Sequence, residues 1–222
     1  MTILSSDMVT FHVHSQHLLN LSSNAFAGLL ASRETSLFLA ERSAVLDIVF
    51  HILYGMIYTH HSPPLAEIDA ALDALIKYGV NPASHASPIH PLCALLRFHA
   101  PCLPIEAYAV AGKYSLEDAA VAISAHLLAY DFSNLSDELS IKIGPIYLRR
   151  LIGLHHDRSE ALKTIILRPL ATHQFTLLCG EASQAQLARE WAYAVAGLAW
   201  EKLPSEKTDF CRYAICEGCH KY

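Results

Sequence analysis

The residues best suited to chemistry in this chain stand at its end: Cys211-Arg212-Tyr213-Ala214-Ile215-Cys216-Glu217-Gly218-Cys219-His220. Cys-x-x-Cys places two thiolates on one tight turn, with Gly218 easing the bend, and such a turn makes half of a tetrahedral zinc site. Two further ligands are needed, and Cys211, Cys179, His220 and His173 are the candidates. A set of Cys216, Cys219, Cys211 and Cys179 would tie the tail to the body near Cys179. The spacing to the other cysteines fits no zinc finger, so reduced thiols come first, with a zinc site and a redox pair as the other readings. No cofactor is expected, with zinc at these cysteines the alternative.

The remaining chemistry-bearing residues read as structure. His60-His61 and His155-His156 lie beside prolines or an acidic turn, with no carboxylate placed to fix a tautomer, so both doublets read as surface. No His-Glu-x-x-His, Gly-x-Ser-x-Gly elbow, phosphate-cradling glycine loop or dinucleotide fingerprint occurs. The carboxylate pairs Glu117-Asp118 and Asp137-Glu138 open predicted helices, where they complement the helix dipole. No set of residues asks for catalysis, and the chain is expected not to be an enzyme.

The elements that must position these groups follow from periodicity. Thr2-Ile3-Leu4 and Val9 to His14 are β-rich runs around a turn-like Ser5-Ser6-Asp7, which predicts a hairpin. Helical spacing then takes over, with Leu18, Leu21, Ala25, Leu29 and Leu30 near one face. Ser36 to Ala40 is a third short strand. From there nearly everything is helical. Val45, Ile48, Val49, Ile52, Leu53 and Met56 form an amphipathic helix with Ser43 as its N-cap, and Pro63-Pro64 breaks the chain. Ile68 to Ile76 ends at Gly79; Asn81 to Pro91 reads as loop, and Leu92 to His99 as a short helix. The spacing then predicts helices over Ile105–Lys113, Leu116–Tyr130, Asp137–Ile143, Ile146–Leu154, Ser159–Leu167 and Ser183–Lys202. Ser115-Leu116-Glu117-Asp118 reads as a variant capping box.

Composition bounds the rest. The 222 residues are 53% hydrophobic and 17% charged, which excludes intrinsic disorder as the default. Sixteen basic and twenty-one acidic residues give a net charge of −5, and the pI near 6.2 argues against direct nucleic-acid binding. The most apolar stretch, Ala44 to Tyr58, carries Asp47 and His51 and is shorter than the roughly 20 residues that cross a bilayer. No signal peptide is read at the N-terminus. A cytoplasmic or nuclear protein is expected, without membrane attachment, its surplus hydrophobicity covered by a protein partner or a second copy.

The segment Phe11 to Phe26 resembles the opening of a BTB/POZ domain. Phe11, His14, Leu18, Ser22 and Phe26 match that family's pattern, the aromatic standing one residue later than usual. Leu37-Phe38-Leu39-Ala40-Glu41, followed by Val45 through Tyr54-Gly55, resembles its next strand, acidic residue and helix. Ile105 to Leu128 resembles the closing helix pair. The Pro63-Pro64 loop and the extra helix over Ile68–Val80 are similar to the version common in fungi. The resemblance implies an α+β fold: a small N-terminal sheet packed on a mainly helical body, residues 1–130, with 131–222 as a helical extension carrying the cysteine tail. It makes His14 a hydrogen-bonded structural residue between strand and helix. It also implies scaffolding, as a homodimer or heterodimer, as a substrate adaptor for a cullin ubiquitin ligase, or as a co-repressor recruiter. Phe11, Leu18, Leu19, Leu29 and Leu30 are the interface candidates, expected to stay exposed on a monomer. A helical enzyme or small-ligand binder without a recognisable motif is the other reading.

Overall fold

The computed structural model describes residues 1–31, 35–58, 63–168, 171, 174, 176 and 179–200, and the chain divides into two compact units after Arg150. In the first unit, β1 (Thr2–Leu4) and β2 (Thr10–His12) form the hairpin. After α1 (Ser15–Leu21) the chain returns to lay β3 (Ser36–Phe38) parallel to β1, so the sheet order is β2-β1-β3. Register places Ile3 opposite both Phe11 and Leu37. Side chains alternate across a strand, so this row faces the core and Ile3 is fully buried. The alternate row, Thr10, Leu4 and Phe38, faces outward, and Phe38 is 60% exposed.

The helical body follows: α2 (Ser43–Tyr54), α3 (Leu65–Lys77), α4 (Pro91–His99), α5 (Pro104–Lys113) and α6 (Glu117–Ser124). Proline begins α4 and α5, where its missing N–H has no helical partner to lose. Gly55 closes α2 at φ 65°, and the Met56 N–H reaches back to the His51 carbonyl. The core is built from Leu46, Ile52, Ile68, Leu72, Leu75, Leu92 and Leu96, all at or near full burial. On α5 four of the seven buried residues are small, Ala107, Ala109, Ala111 and Gly112, and Gly112 lets neighbouring backbone approach closely. A β-carbon at Gly112 would lie 2.6 Å from the Ile143 carbonyl oxygen.

That approach explains the form of α7 (Asp137–Ile166), which is broken at Gly144 (φ 77°, ψ 159°) ahead of Pro145. Proline at 145 excludes the helical conformation before it, and glycine accepts a geometry closed to other residues. Beyond Leu151, the second unit contains the rest of α7 and α8 (Glu181–Trp200). The described residues are therefore mainly helical with one small sheet, the α+β class. Among the described residues no helix is long and apolar enough to cross a membrane.

Four local expectations are corrected. The helix after Gln16 does not run to Leu30: it ends at Leu21, and Ala25, Phe26, Ala27 and Gly28 all take positive φ. Ser22 and Asn24 offer the backbone side-chain partners that compete with helix, as described below. Ser43 is not the cap of α2 but its first residue. Asp7 from the hairpin turn accepts the Ser43 N–H at 2.8 Å and the Ser43 hydroxyl at 2.6 Å. Those bonds from Ser43, with a third from Ser5, hold the Asp7 carboxyl far below its ordinary range. Ser115 does not open a capping box, because it stands at φ 57° and its side chain caps nothing in α6. The break expected between Leu154 and Ser159 is absent, and α7 runs through His155-His156.

Candidate interaction surface

The five residues that carry the family resemblance converge on the junction of hairpin, α1, α2 and α3. Phe11 is half-buried, its ring 5.2 Å from that of Phe50 on α2. The His14 backbone N–H donates to the Tyr54 hydroxyl at 2.9 Å, and its Nδ1 lies 3.2 Å from the same oxygen. Since that oxygen accepts the N–H, its own proton is available to the imidazole. Leu18 is fully buried. Ser22 donates its hydroxyl to the Tyr78 carbonyl at 2.6 Å and accepts the Phe26 N–H at 2.7 Å. The Phe26 ring then stacks on Tyr78, centroids 4.2 Å apart and planes within 4°.

The partner in this lock is the C-terminal end of α3. Ser23 donates to the Gly79 carbonyl at 2.9 Å, and the Asn24 amide donates to the Lys77 carbonyl at 3.0 Å. These bonds satisfy carbonyls that a helix end leaves without intrahelical partners. The Tyr78 hydroxyl and the Lys77 ammonium both donate to Glu41, the acidic residue after β3. Burial pushes the Glu41 carboxyl up, but the two hydrogen bonds outweigh it and hold the group below its ordinary value. Sequence reading found Ser22, Phe26 and Glu41 but missed Tyr78, Asn24 and Asp7. The Tyr-Gly pair closing α3 was visible as a helix end, whereas nothing in the sequence brings Asn24 to it.

The interface candidates therefore divide. Leu18 is core, a correction to its expected exposure, because α1 turns that face onto the body. Phe11, Leu19, Leu29 and Leu30 are half-buried, with part of each side chain accessible. On the outer face and turn of the sheet Met8 is 70% and Phe38 60% exposed, while Ile89, Phe98 and Ile141 are as exposed elsewhere in the first unit. Of the cysteine set, Cys216, Cys219 and Cys211 lie outside the described residues, as do His220, His173 and the His60-His61 doublet. Cys179 is buried, its backbone N–H bonded to Thr176. No cluster of three metal-ligating side chains occurs among the described residues.

A shallow recess of about 520 Å³ lies beside the Gly144 break, lined by Asp69, Lys113, Glu138, Ile141 and Lys142 among others. Its charges Asp69, Lys113 and Lys142 are committed to one network. Asp69 accepts from Lys142 at 2.8 Å, from Lys113 at 3.1 Å and from Tyr114 at 2.7 Å, while Lys113 also reaches Asp73 at 2.9 Å. Burial raises the Asp69 carboxyl, and the hydrogen bonds from Lys142, Tyr114 and Lys113 together bring it below its ordinary value. An ionised acid held by two ammonium groups is a brace between α3, α5 and α7, poorly suited to moving protons. Compared with protein-family models, with curated proteins and with solved structures, the chain matches none.

Proposed function

We propose that this chain is a non-catalytic protein-interaction module of the BTB/POZ type, acting through surfaces on the side of the hairpin and α1. The carrying observation is the use to which the resemblance residues are put: His14, Leu18, Ser22 and Phe26 hold α1 and its following turn to α2 and α3. None of them lines the recess beside Gly144. The accessible apolar surface of Met8 and Phe38, with the half-open Phe11, Leu19, Leu29 and Leu30, supports a surface that another chain covers. On this reading the module pairs with itself or a related chain, and presents a substrate to a cullin ubiquitin ligase or recruits a co-repressor. It works in the cytoplasm or nucleus, with zinc at the cysteine tail an additional proposal.

Native mass spectrometry at low micromolar concentration tests this. A dimer is expected, and Leu19→Glu, which places a charge on a half-open position of α1, is expected to return it to monomer. A monomer in the unsubstituted chain overturns self-pairing, and a dimer indifferent to Leu19→Glu moves the surface away from α1. A zinc mass increment would report the tail site independently.

A further inference from the structure

Three histidines that the site above does not use stand on α1 and in the α3–α4 connection. His17 on α1 places Nε2 3.0 Å from the Leu53 carbonyl and its ring 4.6 Å from that of Tyr54. His85 ends the short turn Pro82–His85, and its ring centroid lies 5.2 Å from that of His90. His90 is the N-cap of α4, its Nδ1 accepting the Leu92 N–H at 3.3 Å. That bond fixes the ring chemically. Nδ1 must be bare to accept, so Nε2 carries the proton and the imidazole is neutral.

From this geometry we infer that His90, with His85 beside it, is an acid-released latch holding the α3–α4 connection to the first turn of α4. Protonation at Nδ1 turns the cap's acceptor into a donor facing the Leu92 N–H, and it puts a positive charge beside His85. The titratable groups acting on His85 are His90 and His17, and the ring nearest His90 is that of His85. No carboxylate acts on either ring among the described residues, so an added proton meets no counter-charge there. The connection between the two histidines, Ser87-Pro88-Ile89, has few ties of its own: a hydrogen bond from the His90 N–H to the Ser87 carbonyl, and an Ile89 that is 96% exposed.

The sign follows from the rings' environment. Burial pushes the imidazolium pKa of both His85 and His90 below the ordinary value of 6.5, reinforced at His85 by its neighbours His90 and His17. Groups depressed in this way leave the latch closed above about pH 6.5 and open it as pH falls through the folded-state values.

Amide hydrogen exchange on the full chain between about pH 7.5 and 5, corrected for intrinsic rates, reads this directly. The protection of Leu92 and its neighbours in the first turn of α4 is expected to fall about tenfold or more, as one proton taken up over one unit of pH implies. Protection in α5 is expected to hold. Equal loss in both helices would mean global unfolding and overturns the latch, as does protection of α4 that ignores pH. His90→Asn keeps a side-chain acceptor at the cap but cannot titrate, and it is expected to abolish the pH response while preserving neutral-pH protection. If that variant does not fold, the imidazole proton resonances of the unsubstituted chain decide. A midpoint for His90 at or above 6.5 overturns the inference, and one below it, concurrent with the exchange, supports it.

Discussion

At the scale of single residues, the closest fit in the first unit is between Gly79 and Asn24. Gly79 sits at φ 73°, and a β-carbon there would lie 2.4 Å from the Asn24 side-chain oxygen and 2.8 Å from its backbone nitrogen. Backbone cannot swing aside as a flexible side chain can, so an alanine would push the 22–24 turn off the end of α3 and unseat Phe26 from Tyr78. Gly28 supplies the control, with φ 77° but nothing within 4 Å of its would-be β-carbon. Gly28→Ala is therefore expected to lower stability by about 1 kcal/mol, the backbone component alone. Gly79→Ala is expected to cost about 3 kcal/mol, from strain plus overpacking. Urea midpoints at unchanged slope measure both. Equal losses would show that Asn24 does not press on Gly79. The Asn24 contact was not legible in the sequence, because it joins residues separated by more than fifty positions through a loop whose course no periodicity describes.

Elements were far more legible than their ends. Apolar spacing located α2, α3, α4 and α5 within a residue or a few, and β-rich runs located all three strands, because each buries one face and its pattern records which. What failed was local: Ala25 to Gly28 and Ser115 adopt left-handed backbone through bonds to distant groups or the demands of a tight corner, which apolar spacing does not encode. The break in α7 was legible because Gly144-Pro145 states it chemically. Two glycines make that break, and they act differently. Gly144 has open space around it but a φ/ψ pair closed to alanine, whereas Gly112 is helical and obstructed by the Ile143 carbonyl. Gly144→Ala is expected to destabilise by about 1–3 kcal/mol through strain. Gly112→Ala is expected to cost about as much, by prising residues 137–143 away from α5. The exchange pattern separates them: amides of 137–143 should lose protection selectively in Gly112→Ala. A Gly112→Ala protein as stable as the parent would refute the close approach.

At the scale of the whole molecule, the first compact unit runs to Arg150. The Tyr108 hydroxyl donates to the Tyr147 carbonyl at 3.0 Å from a buried position, and Arg150 pairs with Glu117 at the start of α6. Lys142 adds its bond to Asp69 on α3. These ties belong to the stretch 131–150, which the sequence reading assigned to the extension beyond residue 130, and they commit it to the first unit instead. A cut at 130 removes partners of Tyr108, Glu117 and Asp69 and uncovers Gly112 where Ile143 packs. A cut at 150 keeps all of them. Size favours the longer piece as well, since a domain of about 150 residues buries roughly 68–70% of the surface its unfolded chain exposes, enough to be stable alone. Residues 1–150 are therefore expected to unfold in one cooperative transition, and residues 1–130 to show a lower, broader transition with loss of near-ultraviolet ellipticity. Thermal and urea unfolding of the two fragments, followed by near- and far-ultraviolet circular dichroism, makes the comparison. If 1–130 unfolds as sharply as 1–150, the polar ties through Tyr147, Arg150 and Lys142 contribute little, and the boundary drawn from the resemblance is the physical one. If neither fragment is cooperative, the first unit is not self-sufficient, and a BTB-type module of that extent is ruled out as an independently folding part.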